Sequence, residues 1–385
     1  MLPLPANLSA VKYYLIAGEP SGDLHGSNLI RAISELDPAA EFRAWGGEEM
    51  EAAGATLAKH YRELAFMGLI EVVKNLRTIL GNEKFCRRDI AEFQPDRLIL
   101  IDYSGFNLRI ARWAAPAGYD ISYYVSPQVW AWRSGRVKTI RNTVNRMLVI
   151  LPFEEAWYAE RGVKAHFVGH PLLDTVKELG ARPQVQNGVG EEQSKLAVAL
   201  LPGSRTQEIS TGLPIMLAAA RTHPAHHYTV AAAPGQELSF YQSIISQEGP
   251  PPNLSVAKGK TYDLLATADA ALVTSGTATL ETALFGVPQV VCYKGNPINY
   301  WIAKRLVGHR IKYISLVNLI MDRAIVPELI QNDFTAERLS EELQKITAGP
   351  GRDRQLQDLA QLRAKLGSGG AAGRAARLIV DGVTS

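Results

Sequence analysis

The sequence predicts an α/β protein of two Rossmann-like domains facing a cleft, and three observations support this. Short, nearly continuous apolar segments alternate with segments of helical spacing, which is typical of parallel strands covered by helices on both faces. The alternation stops in a polar, glycine-containing stretch at 177–195 and then restarts. A chain of 385 residues is also too long for one ordinary core.

Strands are expected where aliphatic and β-branched residues run together. The predicted strands of the first half are 12–17, 41–45, 97–101, 121–125, 146–151 and 165–168. Those of the second half are 196–201, 228–232, 254–257, 270–274, 289–293 and 313–316. Segments 26–36 and 69–80 carry helical spacing. We therefore place a first domain at 1–175, a second at 176–350, and a helical tail at 351–385 that packs on the first domain or on a partner subunit.

Composition excludes several classes of protein. Hydrophobic residues make up 46% and charged residues 21% of the chain, with a net charge of +3. That balance is too weakly basic for a dedicated nucleic-acid binder, but it allows a local basic face toward phosphates or anionic lipid. Cys86 and Cys292 have no metal or redox spacing, which fits a reducing compartment. No apolar run approaches the roughly 18 residues of a membrane span, so we expect a cytoplasmic protein that is soluble or peripheral.

The stretch 270–284 predicts a nucleotide site. A buried strand breaks at Ser275-Gly276-Thr277 and restarts as a helix, whose free N–H groups and dipole suit a phosphate or diphosphate. Glu281 follows one turn later, where its carboxylate can bind both hydroxyls of a ribose. The alternative, that Glu281 forms a capping box, is disfavoured because Ala278 occupies the position that needs Ser or Thr. A further alternative is that Glu281 is a solvent-exposed glutamate of this helix and binds no ligand.

The two halves also open alike, each with a strand that runs into a Ser/Gly turn, at 17–22 and at 201–205. Neither turn matches Gly-x-Gly-x-x-Gly, and Gly-x-x-x-x-Gly-Lys-Ser/Thr is absent. A dinucleotide oxidoreductase and a P-loop ATPase are therefore disfavoured.

Five motifs, in order along the chain, resemble those of the lipid-A-disaccharide synthases. They are Ala17-Gly-Glu-Pro-Ser-Gly-Asp-Leu-His-Gly26, Ile101-Asp-Tyr-Ser-Gly-Phe-Asn107, Val125-Ser-Pro-Gln-Val-Trp-Ala-Trp-Arg133, Leu200-Leu-Pro-Gly-Ser-Arg205 and Ser275-Gly-Thr-Ala-Thr-Leu-Glu281. The resemblance implies a GT-B fold and an inverting transfer without metal or cofactor. The donor would be UDP-2,3-diacylglucosamine, the acceptor 2,3-diacylglucosamine 1-phosphate, and the products a tetraacyl disaccharide 1-phosphate and UDP.

The resemblance also implies residue roles. Asp102, at a strand end, would remove the proton of the attacking hydroxyl, and Asn107 would orient Asp102 or the acceptor. The alternative is that Asp102 only stabilises its own turn. Arg205, beside Gly203 and Ser204, would face the leaving diphosphate; a surface arginine is the alternative. The UDP-sugar site would comprise Gly203, Ser204, Arg205, Ser275, Gly276, Thr277, Ala278, Glu281 and Asn318, with the Asn318 amide directed at the uracil and phosphates.

The first turn is expected to contact the acceptor or the donor sugar. Its candidate residues are Gly18, Glu19, Ser21, Gly22 and Asp23. Asp23 is equally explained as the N-cap of a helix that begins at Leu24. Arg133 and its neighbouring cations can bind the acceptor phosphate, or they can form a solvated helix face.

An apolar and basic segment predicts contact with lipid. Phe66, Met67, Leu69 and Ile70 lie among cations, a combination that suits a helix in an anionic membrane interface or an entry for acyl chains. An ordinary amphipathic helix on the sheet shows much the same spacing. With the resemblance, we expect peripheral association with the cytoplasmic face of the inner membrane, and a homodimer is allowed.

Two other readings stay open at this point. One is another UDP-sugar enzyme of the same fold, such as a muramyl-type N-acetylglucosaminyltransferase or a UDP-sugar 2-epimerase. The other is a nucleotide-binding regulatory protein without turnover.

Overall fold

A computed structural model describes residues 10–64, 76–130, 134–178, 195–295 and 312–382. The chain forms two compact units, the first made of Met1–Pro171 with Gly369–Ser385 and the second of Leu172–Ser368. The predicted fold class of two parallel α/β domains is confirmed. Among the described residues, no helix has both the length and the apolar character needed to cross a membrane.

The first unit contains a seven-stranded sheet in the order β3-β2-β1-β4-β5-β6-β7. Its neighbouring strands pair in parallel. Its strands are β1 (Lys12–Ile16), β2 (Glu41–Gly46), β3 (Thr56–His60), β4 (Arg97–Ile101), β5 (Ile121–Tyr124), β6 (Arg146–Val149) and β7 (Ala165–Phe167). The central strands are buried on both faces, as their unbroken apolar sequences predict.

The second unit contains a six-stranded parallel sheet in the order β10-β9-β8-β11-β12-β13. Its strands are β8 (Ala197–Leu201), β9 (His227–Ala232), β10 (Leu254–Lys258), β11 (Ala270–Thr274), β12 (Gln289–Tyr293) and β13 (Glu328–Ile330). The first three strands and β11 have the same order here as β1 to β4 have in the first unit, so the two sheets share a topology over these strands.

Helices cover both sheets. Those of the first part of the chain are α1 (Pro20–Leu36), α2 (Glu48–Ala52), α3 (Leu76–Phe93), α4 (Ser104–Ala114), α5 (Val137–Thr143), α6 (Glu154–Ala159) and α7 (Leu172–Glu178). The remainder are α8 (Thr206–Arg221), α9 (Leu238–Glu248), α10 (Thr261–Thr267), α11 (Thr277–Leu284), α12 (Leu316–Met321), α13 (Ala336–Thr347), α14 (Pro350–Leu366) and α15 (Ala371–Val380). Short 3-10 turns lie at Tyr61–Leu64, Ala115–Ala117, Ser134–Arg136 and Gln331–Asp333.

The first sheet has an apolar core on each face. On one face, Leu29 and Ile33 of α1 and Ile379 of α15 are fully buried in one cluster with residues of β1 and β4. On the other face, Trp45 stacks on Phe106 of α4 with ring centroids 5.2 Å apart. Burial of this apolar area on both faces stabilises the unit and fixes where each strand ends.

One predicted strand was wrong, and one predicted helix begins earlier than expected. Segment 313–316 is not a strand: Ser315 is the N-cap of α12, since its hydroxyl accepts the N–H of Asn318 at 3.3 Å, and the place beside β12 is taken by β13. The helix expected from 24 or 26 begins at Pro20, whose fixed φ suits a first helical turn. Strand β3, at the sheet edge, was missed because its sequence has no apolar run.

The helical tail is divided between the units. Helix α14 packs in the second unit, where Arg352 donates to the Asp269 main-chain carbonyl at 2.6 Å and Asp358 pairs with Arg323. Helix α15 packs against α1 in the first unit, where Arg374 donates to the Val168 carbonyl at 2.8 Å. The expected tail of 351–385 therefore does not act as one element.

Each sheet contains one switch point, where the strand order reverses. It lies between β1 and β4 in the first unit and between β8 and β11 in the second. Ligands of open α/β sheets bind outside the carboxyl ends of the strands at such points. Four of the five sequence motifs lie at, or directly after, the carboxyl ends of these four strands.

Candidate functional site

Asp102 follows the last residue of β4 in a strained turn. Asp102 and Tyr103 have φ of 42° and 39°, in the left-handed region that non-glycine residues rarely adopt. The Asp102 carbonyl accepts the Asn107 amide at 3.0 Å and also the Tyr123 hydroxyl. Strain of this kind persists only where surrounding contacts hold it, and it is concentrated at functional sites.

Asn107 binds the main chain around Asp102. Besides the Asp102 carbonyl, its side-chain nitrogen contacts the carbonyls of Ile101 at 3.1 Å and Ile16 at 3.3 Å, so it joins the ends of β4 and β1. Its side chain is fully buried, which leaves no surface for the acceptor. Of the two predicted roles of Asn107, the structure therefore favours the orientation of Asp102.

The Asp102 carboxyl lies in an acid-rich, partly dehydrated environment. Burial, reinforced by the charge and hydrogen bond of Glu19, raises the pKa of Asp102 to about 7, while the Tyr103 main-chain N–H lowers it. This influence of the Tyr103 N–H is compatible with the alternative role of Asp102 in its own turn. A carboxyl group with a pKa near neutrality is also suited to general base catalysis.

The glycine of the first turn is required by packing. A Cβ atom on Gly18 would lie 2.4 Å from the Tyr103 ring, so the β1 and β4 turns lie in direct contact. Gly22 is similarly restricted by the Ala17 side chain at 3.0 Å. Glu19, at the N-cap position of α1, is exposed and accepts the Ser21 hydroxyl at 2.7 Å.

Asp23 has a structural role that the sequence reasoning missed. It lies inside α1, so its assignment as the N-cap of that helix was wrong. Its carboxylate accepts the N–H groups of Gly47, Glu49 and Met50 at 2.7, 3.1 and 3.1 Å, and thereby caps α2. With 2% of its surface exposed, it has little capacity left for a sugar.

Arg205 is exposed at the N-terminus of α8, in the turn after β8. Its side chain is 73% exposed, and its guanidinium lies 3.4 Å from the Glu208 carboxylate. The Glu208 carboxylate also accepts the N–H groups of Ser204 and Arg205, both at 3.3 Å. Gly203 has φ of +103°, and a Cβ there would lie 2.6 Å from Glu208. Glu208 was not predicted, although a glutamate three residues after an N-cap is a known capping signal.

The turn after β11 has the predicted strand–turn–helix geometry. Gly276 precedes α11 and no side chain caps this helix. Gly276 and Thr277 are exposed, while the Ser275 hydroxyl donates to the Ile314 carbonyl at 3.3 Å. An exposed helix N-terminus without a side-chain cap is free to bind an anion. Ala278, in the first turn, is half-buried.

Glu281 is neither half of a capping box nor a solvated glutamate. Burial raises the pKa of Glu281, and the Tyr262 hydroxyl donates to its carboxylate at 3.3 Å. The Tyr262 ring stacks on Phe285 with centroids 5.8 Å apart. Tyr262, in α10, was not predicted, because the sequence does not reveal that α10 packs beside α11.

Asn318 does not offer its amide to a nucleotide, and this predicted contact was wrong. Its oxygen accepts the N–H groups of Ile325 and Val326 at 2.7 and 3.0 Å. Its nitrogen donates to the Val326 carbonyl and to Glu328, both at 2.9 Å. The side chain is fully buried and all four of its hydrogen-bonding positions are used. Asn318 instead fixes the segment that leads into β13.

A buried acid supports the tryptophan motif. Glu154 accepts the Trp130 indole N–H at 3.2 Å and the Leu151 N–H at 3.0 Å, and burial raises the pKa of Glu154 to about 7. Arg136 donates to the Ser104 hydroxyl at 2.9 Å, one turn from Asp102. No sequence signal pointed to Glu154.

Some predicted residues lie outside the described residues. These are Arg133 and the lipid-facing candidates Phe66, Met67, Leu69 and Ile70. Of the cations that flank the lipid-facing segment, Arg62, Arg87 and Arg88 pair with Glu48, Glu83 and Glu92. Across the described ranges, no three His, Cys, Asp or Glu side chains form a group that could hold a metal ion.

Comparisons with known proteins identify the family. The family model described as lipid-A-disaccharide synthetase matches residues 13–377. A lipid-A-disaccharide synthase of Syntrophus aciditrophicus is 42% identical over 367 residues, 94% of this chain and 95% of that protein. The same enzyme of Geobacter metallireducens is 39% identical over 372 residues, 95% and 96% of the two chains.

Solved structures agree on the fold. The glycotransferase of kitacinnamycin superimposes with a TM-score of 0.65 at 17% identity, over 97% of this chain and 99% of that one. At this identity the likeness shows the GT-B fold alone. The family match and the relatives argue against the two alternative hypotheses, a UDP-sugar epimerase and a regulatory protein without turnover. The chain belongs to the lipid-A-disaccharide synthetase family and is a glycosyltransferase.

Proposed function

We propose that the protein transfers 2,3-diacylglucosamine from its UDP form to 2,3-diacylglucosamine 1-phosphate with inversion at the anomeric carbon. The products are a tetraacyl disaccharide 1-phosphate and UDP. Family membership supports glycosyl transfer, and the observation that carries the mechanism is the Asp102 carboxyl at the end of β4, whose pKa is raised to about 7.

In this proposal Asp102 acts as the general base. Its carboxylate takes the proton of the acceptor hydroxyl as that oxygen attacks the donor sugar from the face opposite UDP. Asn107 and Tyr123 bind the Asp102 carbonyl, so the carboxylate is held before substrate arrives. Such preorganisation lowers the cost of reaching the transition state. Glu19, Ser21 and, outside the described residues, Arg133 are proposed to contact the acceptor.

The second unit is proposed to hold the donor. The uncapped N-terminus of α11 at Ser275, Gly276 and Thr277 binds the diphosphate, and Glu281 binds the ribose hydroxyls. Arg205, whose exposed side chain pairs with Glu208, balances the charge that develops on the leaving UDP. This arrangement lets the transfer proceed without a metal ion.

We further propose that the enzyme works at the cytoplasmic face of the inner membrane. Both substrates carry acyl chains, and Phe66, Met67, Leu69 and Ile70 offer an apolar segment beside cations. A homodimer is compatible with this placement. Changing Phe66 and Met67 to serine should reduce both vesicle binding and turnover of acylated substrates.

One assay tests the proposed reaction. The purified protein is mixed with UDP-2,3-diacylglucosamine and 2,3-diacylglucosamine 1-phosphate, and UDP and the disaccharide phosphate are followed by chromatography and mass spectrometry. Equimolar release of both products is expected, with none when either substrate is omitted. Epimerisation of a UDP-sugar, or UDP binding without turnover, would contradict the proposal.

A further inference from the structure

Two acidic side chains meet at the switch point of the first unit. Strands β1 and β4 are paired in register, Ile16 beside Leu100, and their turns touch where Gly18 lies against the Tyr103 ring. Glu19 follows Gly18 and Asp102 precedes Tyr103, so this contact places the two acids side by side, and the charge and hydrogen bonding of Glu19 raise the pKa of Asp102. Family resemblance suggested only that Glu19 touches a sugar, and it gave no relation between the two acids.

Within the described residues, no cation is among the groups that shift the pKa of Asp102. The Asp102 carboxyl is faced by Glu19 from the first turn and by the Tyr103 N–H from its own turn. The Tyr123 hydroxyl of β5 binds the main-chain carbonyl of Asp102, not its carboxyl. Arg136, from the residues before α5, binds Ser104. Two carboxyl groups in contact without a cation favour holding one proton between them.

The two acids differ in their access to water. Glu19 is exposed and also accepts the Ser21 hydroxyl at 2.7 Å, whereas Asp102 is half-buried at the end of a buried strand. A proton taken up by Asp102 can therefore pass to solvent through the exposed Glu19 carboxylate.

We propose that Glu19 and Asp102 form an acid–base pair, in which Glu19 receives from Asp102 the proton released by the acceptor hydroxyl and passes it to water. The proposal rests on the proposed function of Asp102 as the base. The acceptor O–H bond breaks and its proton goes to Asp102. The oxygen bonds to the anomeric carbon, and the carbon–oxygen bond to UDP breaks with its electron pair left on UDP. Transfer of the proton to ionised Glu19, and then to water, restores Asp102.

The test is the pH dependence of kcat/KM, measured as UDP release, for a charge series at position 19. The wild type should gain activity as pH rises through about 7, because the base must be ionised. Glu19→Gln removes a negative charge, so the acidic limb should move to lower pH by about one unit, and Glu19→Lys should move it further. Glu35→Gln, which alters an exposed carboxylate at the far end of α1, should leave the limb in place.

The possible outcomes distinguish failure of the Glu19–Asp102 pair from failure of Asp102 as the general base. An acidic limb that stays at the wild-type pH in both Glu19 variants would overturn the pair, even if activity falls uniformly, because a sugar contact alone gives that result. Near-normal turnover of Asp102→Asn would instead overturn the base assignment. Thermal melting of each variant establishes folding; Glu19 makes no side-chain capping bond to α1, so the folded state should persist.

Discussion

The two switch points share a topology but differ in chemistry. In each sheet the site turns follow two adjacent parallel strands, β1 and β4 in one unit, β8 and β11 in the other. The first pair of turns presents two carboxyl groups, Glu19 and Asp102. The second presents an exposed arginine and a helix N-terminus without a side-chain cap. One architecture thus presents an acidic pair in one unit and an exposed cation beside a helix N-terminus in the other, which suits the proton acceptor and the anion site that we propose.

The way the turns are stabilised also differs. The Asp102 turn depends on a side chain from another element, since Tyr123 of β5 and Asn107 bind its carbonyl. The Arg205 turn is held by Glu208, from its own helix. The Arg205 turn, which leaves its cation exposed, is stabilised by a residue close in sequence. The strained turn at the half-buried Asp102 needs contacts from other elements of the sheet. Chemistry and donor binding should therefore be separable by mutation.

The largest expected effect is that of Asp102→Asn on the chemical step. Loss of the general base should lower kcat by roughly 10²–10⁴-fold, while UDP affinity, measured by calorimetry, stays within about twofold of the wild type. A fall in UDP affinity as large as the fall in kcat would break the comparison, since it would place Asp102 in donor binding. Glu35→Gln serves as the control for the change from carboxylate to amide.

Arg205→Ala should affect use of the UDP-sugar donor, which the second unit is proposed to bind. Removing a charge-assisted contact to the departing diphosphate should lower kcat/KM for the donor by roughly 10²-fold, with little change in stability because the side chain is exposed. Arg338→Ala, which removes another exposed arginine of the same unit, should have no effect on turnover. If both variants behave alike, Arg205 is a surface residue.

Asp23→Ala should destabilise the protein without acting on chemistry directly. Three main-chain N–H groups lose their acceptor, two of these hydrogen bonds are buried, and an unmet buried donor costs about 1–3 kcal/mol. Urea unfolding should show the loss, and Glu35→Ala on the same helix should not. An unchanged midpoint together with a raised acceptor KM would instead favour the original assignment of Asp23 to sugar contact.

The smallest effect expected is on ribose recognition. Glu281→Gln should raise the donor KM about tenfold. Tyr262→Phe removes only the hydroxyl that donates to Glu281, and it should raise the donor KM about two- to fourfold. Steady-state kinetics with varied donor give both values. A larger effect of the tyrosine than of the glutamate would show that Tyr262 itself carries the contact.

Much of the fold was predictable because it depends on local pattern. Strands 97–101, 270–274 and 289–293 were predicted at their observed bounds, since unbroken apolar runs are typical of strands buried on both faces. The edge strand β3 and the short β13 were not, because neither has such a run. Segment 313–316 reads as a strand locally, but Ser315 begins a helix there.

The site was predictable in its positions and less so in its roles. The motifs placed Asp102, Arg205 and Ser275 at strand ends, where the structure has them. Asn318 is occupied by the segment that follows it, at Ile325, Val326 and Glu328. The occupied side chain of Asp23, and the support given by Tyr123, Tyr262 and Glu154, involve partners in other elements of the fold. Such pairings depend on strand order, which the sequence does not state.

The sequence by itself determined the family, the two α/β units and the strand ends at which chemistry can occur, because apolar periodicity and turn residues act over a few neighbours. Only the tertiary structure decided which polar side chains remain free for a ligand. Strand order brings Glu19 close to Asp102, and the segment that leads into β13 gives Asn318 four internal hydrogen bonds. A carboxyl or amide group can act on a substrate only when the folded chain has not already used its hydrogen bonds.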